Sequence, residues 1–167
     1  MKRMIQRQPE ELGSFSTGGI LVICDPCYKR DYEPPLVNRI EVAPGIWEAT
    51  VSYFSGRISL LEAGLSHAYA YKKEQLTDDA GVDSGQFGFF DDTIFPYYQE
   101  REFDDKEKFY GKCCDITLSD KQAGIIDGKG VVSSSGFGDG SYNVIVGKDR
   151  AGRIVQISVE FISEEEY

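Results

Sequence analysis

Histidine is nearly absent from this sequence: His67 stands alone in 167 residues. Any Ser-His or Cys-His nucleophile pair has to be built on that one imidazole. A lone histidine, here in Ser66-His67-Ala68-Tyr69, reads first as structural or exposed. No apolar run approaches the roughly 20 residues that cross a bilayer. The basic start, Met1-Lys2-Arg3-Met4-Ile5-Gln6-Arg7-Gln8, lacks the apolar segment of a secretory signal. The expected compartment is therefore the cytoplasm, and Cys24, Cys27, Cys113 and Cys114 are expected as reduced thiols. Positive charge is short as well: 18 Lys and Arg against 28 Asp and Glu leave a net charge of −10, which repels phosphate backbones. Such a surface suits cations and basic proteins and favours solubility. Six prolines against 18 glycines allow the many turns that an all-β chain needs. Internal repeats, low-complexity stretches and the loop spacing of an EF-hand are also missing.

What is present is a chain long enough to bury a core, with 41% hydrophobic and 28% charged residues, in the range of a globular domain. Residues 1–17 read as a polar lead-in, 18–163 as one β-rich domain and 164–167 as an acidic tail. Gly19 to Cys24 is a continuous apolar run, read as a buried strand ended by Asp25-Pro26. Tyr28 to Pro44, with Pro34-Pro35 and many charges, reads as a connecting loop. Ile46 to Phe54 alternates, with Trp47, Ala49, Val51 and Tyr53 on one face. It joins Arg57 to Ala63 through Ser55-Gly56 as a hairpin. Leu65 to Tyr71 reads as a further strand and Gln86 to Phe90 as another. Thr93 to Lys108 is the best helical stretch, though Pro96 interrupts it. Lys108 to Leu118 and Ala123 to Ile126 fit strand or loop. Tyr142 to Gly147 and Arg153 to Ile162 flank the turn Lys148-Asp149-Arg150-Ala151-Gly152, with Val155, Ile157, Val159 and Phe161 pointing inward. The predicted architecture is mainly β: an antiparallel β-sandwich or partly open barrel with one or two short helices.

The most informative stretch runs from Val131 to Tyr142, where Ser135-Gly136-Phe137-Gly138-Asp139-Gly140 joins two β-branched runs through a glycine-rich turn. Gly81-Val82-Asp83-Ser84-Gly85-Gln86 echoes it. Asp25, Asp83, Asp91, Asp92 and Asp139 all lie in or beside turns next to predicted strands. Two readings stay open: Asp favours turns because its side chain bonds nearby amides, or strand ends converge and the carboxylates bind a hard divalent ion. Cys24-Asp25-Pro26-Cys27 and Cys113-Cys114 offer four thiols, but adjacent cysteines seldom serve one zinc. The redox form of C-x-x-C also wants a helix start, where this chain has a proline loop. Buried thiols are the plainer reading, with Cys27 the one to watch. Ser133-Ser134-Ser135-Gly136 does not fit the G-x-S-x-G elbow. Val82-Asp83-Ser84-Gly85 has the Asp-Ser-Gly word of aspartic proteases, but those need two such aspartates. The aromatics from Phe87 to Tyr110 read as core, with Pro96-Tyr97-Tyr98 as a candidate pocket wall.

Three phrases together, Cys24-Asp25-Pro26-Cys27-Tyr28, Gly81 to Gln86 with Phe90-Asp91, and Ser134 to Tyr142, resemble a family of small uncharacterised bacterial and phage-borne domains near domain of unknown function 4241. The resemblance runs from about residue 18 to 162. It implies one compact domain with the three motifs gathered in one region, and no catalytic assignment. The expected function is a binding module with a site at one rim of the sheets. Its ligand-binding residues would be Asp25, Cys27, Asp83, Ser84, Gln86, Ser135, Asp139 and Tyr142. A divalent cation would take Asp25, Asp83, Asp91 and Asp139, and the amides of Gly85, Gly136, Gly138 and Gly140 would serve as donors. The alternatives are a hydrolase using Cys27 or an Asp, and a protein-interaction factor in phage–host conflict. The expected partner is a small molecule or a protein, not a nucleic acid or a membrane, with a homodimer compatible with the chain.

Overall fold

The structure, a computed structural model, describes residues 8–97 and 105–163. Its elements in chain order are β1 (Glu10–Thr17), β2 (Ile20–Cys24), β3 (Asn38–Glu41), β4 (Gly45–Phe54), β5 (Arg57–Leu65), β6 (Lys72–Val82), β7 (Gln86–Asp91), α1 (Phe109–Thr117), β8 (Ala123–Ile126), β9 (Gly130–Ser134), β10 (Gly140–Lys148) and β11 (Ile154–Glu160). The strands form two antiparallel sheets, a six-stranded one in the order β1-β4-β5-β11-β10-β6 and a five-stranded one in the order β3-β2-β7-β9-β8. They pack face to face as a mainly β sandwich, with no pairing that closes a barrel among the described residues.

The two sheets differ in what covers them. The six-stranded sheet buries Trp47, Ala49, Val51, Ile157 and Val159 and turns Glu48 and Glu160 outward, the period-2 alternation of a half-solvated strand. The five-stranded sheet is covered twice. Leu21, Ile23, Phe87 and Phe89 join the core between the sheets. Val22, Cys24, Phe90 and Val132 join a second cluster with Tyr28, Val37, Phe95 and Cys113, under α1 and the β2–β3 loop. Burial on both faces is why β2 and β7 read as unbroken apolar runs.

Both predicted hairpins form. Ser55 (φ 51) and Gly56 (φ 78) take the paired left-handed conformation of a two-residue turn between β4 and β5. In the β10–β11 turn the Asp149 carboxylate accepts the amides of Ala151 and Arg153. Four readings change. Glu10–Thr17, within the expected lead-in, is an edge strand paired to β4. The expected loop to Pro44 contains β3, paired to β2. Residues 66–71 are a turn, and the strand comes after it as β6, whose two register shifts and charged residues hide any alternation. The helix is α1, whereas 93–97 form turns and bends and 98–104 lie outside the described residues. Pro96 cannot donate within a helix. α1 instead puts Gly111, Cys113, Cys114 and Thr117 against the sheet, a pattern of small residues that carries little hydrophobic signal. No helix among the described residues is long and apolar enough to cross a membrane.

Candidate functional site at the sheet crossings

The chain passes from one sheet to the other between β1 and β2, β3 and β4, β6 and β7, and β9 and β10. The last two crossings, Asp83–Gly85 and Ser135–Asp139, lie side by side. The Ser135 amide donates to the Gly85 carbonyl at 3.0 Å, and Gly140 pairs with Val82 at the last rung of β10 and β6. The motifs around Asp25, Asp83 and Asp139 therefore meet at one rim.

Asp25 is fully buried there. One carboxylate oxygen accepts the Cys27 amide at 2.8 Å and the Ser84 hydroxyl at 2.6 Å. The other accepts the amides of Asp83 and Ser84 at 2.8 and 2.7 Å. A carboxylate with this many donors is satisfied without a ligand, and it staples the end of β2 to the β6–β7 crossing. Beneath it a polar chain continues. Gln86 Nε2 reaches the Ser84 hydroxyl and the Cys114 thiol, and Gln86 Oε1 accepts Thr117 Oγ1 at 3.0 Å. Two tyrosines to which the sequence assigned no site role border this chain. Burial, then the neighbouring Cys114 thiol, pushes Tyr110 up to about 12. Burial, then its bond to Asp83, pushes Tyr28 above the ordinary tyrosine range. Tyr28 stood in the Cys24-to-Tyr28 phrase, and Tyr110 stood among the aromatics read as core.

Asp83 and Asp139 are the exposed carboxylates of the rim, each one residue beyond the Val82–Gly140 rung. Gly85 (φ +70) and Gly138 (φ +114) both have open space where a side chain would stand. Ser135 and Tyr142 serve the turn itself: Ser135 Oγ donates to the Gly138 carbonyl at 2.9 Å, and the Tyr142 hydroxyl lies 3.1 Å from the Ser135 carbonyl. The amides expected as donors are partly occupied, since Gly138 N–H already bonds the Ser135 carbonyl. Gly136 is crowded by Phe161, Ile162 and the Ile58 carbonyl, so packing accounts for it.

Asp91 does not share this rim. It ends β7, five residues after Gln86, or roughly 17 Å away at about 3.3 Å per strand residue. It too is buried, accepting Thr17 Oγ1 at 2.6 Å, the Gly18 amide at 3.0 Å, and both the amide and hydroxyl of Thr93. Burial pushes its pKa up, but the bonds from Thr17 and Thr93 prevail and hold it below the ordinary range. Asp92 pairs with Arg30 and Arg39. Among the described residues no three His, Cys, Asp or Glu side chains are placed to hold one metal ion, so Asp25, Asp83, Asp91 and Asp139 are not a common ligand set.

All four cysteines are free and buried. Burial, then Asp25, pushes the Cys24 thiol up, and burial, then Cys114, does the same to Cys113. Cys27, in the same cluster, is 5% exposed. His67 (φ 62) sits in the β5–β6 turn, away from this cluster.

The chain matches the model of a family described as protein of unknown function (DUF4241) over residues 67–159, more than half its length, and it belongs to that family. The matched span includes both crossings with Asp83 and Asp139, while Asp25 precedes it. No curated protein and no solved structure matches the chain.

Proposed function

We propose that this DUF4241 member is a binding module that receives a cationic group of its partner at the rim formed by the β6–β7 and β9–β10 crossings. The observation that carries this reading is the contrast between Asp25, satisfied by four protein donors, and Asp83 and Asp139, exposed on adjacent strand ends. The buried carboxylate holds the turn in place, and the exposed pair, of which Asp83 also accepts the Tyr28 hydroxyl, lies beside open glycine backbone. Phe137, exposed at the tip of the same crossing, adds an apolar flank. A net charge of −10 steers cations toward the molecule. An arginine or lysine side chain matches two carboxylates better than a phosphate does.

The test is titration with an arginine-rich peptide across a salt series. D83N/D139N is expected to weaken binding roughly tenfold, about 1.4 kcal/mol, and to flatten the salt dependence. Unchanged affinity in the double variant would sink the reading.

A further inference from the structure

A second concavity lies on the outer face of the six-stranded sheet, near the opposite end of the β6–β10 pair. Lys73, Gly147, Gln156 and Gly64 are successive cross-strand partners on β6, β10, β11 and β5, so their Cβ positions share one face. Gly147 is covered by the β5–β6 turn, since a Cβ there would stand 2.7 Å from that of Ala70. Gly64 is different. Its φ lies outside the left-handed range, and its pairings to Gln156 and Glu48 run through without a register shift. A Cβ there would meet only the Val155 carbonyl at 3.5 Å and Gln156 Cγ at 3.9 Å, which are ordinary contacts. Glycine inside a strand is destabilising, and where neither a bulge nor crowding demands it, it marks a place where something approaches the backbone.

Over Gly64 there is a hollow of about 380 Å³, lined also by Leu65, Ala68, Tyr69, Lys73 and Gln156. That volume is in the range of small-molecule sites. Tyr69 is 79% exposed and has no ring partner among the described residues. Lys73 has no carboxylate partner among them either, although its neighbours Lys72 and Lys148 both pair with Glu74. Gln156, whose Nε2 donates to Glu62 at 3.0 Å, forms one wall of the hollow, its Cγ 3.9 Å from where a Gly64 Cβ would stand.

We propose that this hollow is a second binding site, for a small planar ring bearing an anionic group, carboxylate or phosphate. The ring lies over Gly64 against Tyr69, and the anion pairs with Lys73. Glu48, opposite Gly64 on β4, repels an anion from the far side and so fixes the orientation. This site shares no residue with the crossings and does not depend on the rim reading.

The probes are 4-hydroxybenzoate and phenyl phosphate, with 4-hydroxybenzamide and cyclohexanecarboxylate as the uncharged and non-planar controls, followed by amide NMR shifts on the full chain. Both anions are expected to move the amides of Gly64, Ala68, Tyr69 and Gln156, and the controls to bind several-fold more weakly. If only one anion binds, that identifies the carboxylate or phosphate source. Gly64→Val, which places branched carbons in the hollow, should abolish the shifts with the melting temperature unchanged or raised. Lys73→Ala should weaken binding about tenfold at low salt and leave melting untouched. Shifts that persist in Gly64→Val, or no shift at these amides with millimolar probe, would overturn the proposal.

Discussion

Asp25 and Asp91 stand at opposite ends of the five-stranded sheet and are satisfied in the same way. Each buried carboxylate takes four donors from a loop or turn beside it and from a sheet crossing: Asp25 from the β2–β3 loop and the β6–β7 crossing, Asp91 from the turn after β7 and the β1–β2 crossing. The Asp25 end adds two exposed carboxylates on neighbouring sheet crossings, Asp83 and Asp139, whereas the carboxylate that follows Asp91 in the chain, Asp92, is paired with Arg30 and Arg39. The difference separates aspartates that hold the fold from exposed ones, the pair that we propose receives a ligand. Burial and donor count make the distinction, and residue type does not.

The largest effect should come from removing either staple. Asp25→Ala and Asp91→Ala each leave amides without an acceptor, at a cost on the order of 4 kcal/mol, given charge-assisted bonds of roughly 1.5–3 kcal/mol apiece that do not add fully. Urea midpoints for the two variants should fall by similar amounts; a large drop for one and none for the other would break the symmetry between the ends.

Asp92 comes next. Bonds from Arg39, with Arg30 adding to them against the opposing pull of burial, hold its pKa at about 2. A carboxylate depressed in the folded state contributes stability that is present above its unfolded pKa and lost as pH falls through the folded one. The wild type should therefore lose on the order of 2 kcal/mol between about pH 4 and pH 2 that Asp92→Asn never had, so their stabilities converge in acid. A gap that stays constant across that window would mean the ion pairs do not stabilise the β2–β3 loop.

The smallest effect belongs to the exposed pair. Asp83→Asn and Asp139→Asn should each change stability by less than about 0.5 kcal/mol, as surface substitutions usually do. A large loss at either position, seen in thermal melts, would move that residue from the ligand side of the comparison to the structural side.

Much of the fold was legible because local signals agreed with the tertiary structure. Trp47, Ala49 and Val51 alternate, Ser55-Gly56 supplies the turn, and Val155, Ile157 and Val159 do the same for β11. β6 was illegible: an edge strand with two register shifts needs no alternation, and Lys72, Lys73, Asp78 and Asp79 suit an edge that must not pair further. α1 was misplaced because its buried face is made of Gly111, Cys113, Cys114 and Thr117 in place of a leucine stripe. For the site, the gathering of the three motifs was implied by the family resemblance alone, since turn chemistry left open whether the strand ends converge, and the roles of the residues were not legible. Asp25 is a neighbour of Cys27 in sequence, yet its decisive partner, Ser84, is 59 residues away, and no local pattern encodes that bond.

Asp83 and Asp139 each sit on chain passing between the two layers, so a molecule that gripped both would fasten together two of the links that join the sheets. Its arrival would register as slower solvent exchange at the amide that already ties those links, Ser135 to Gly85.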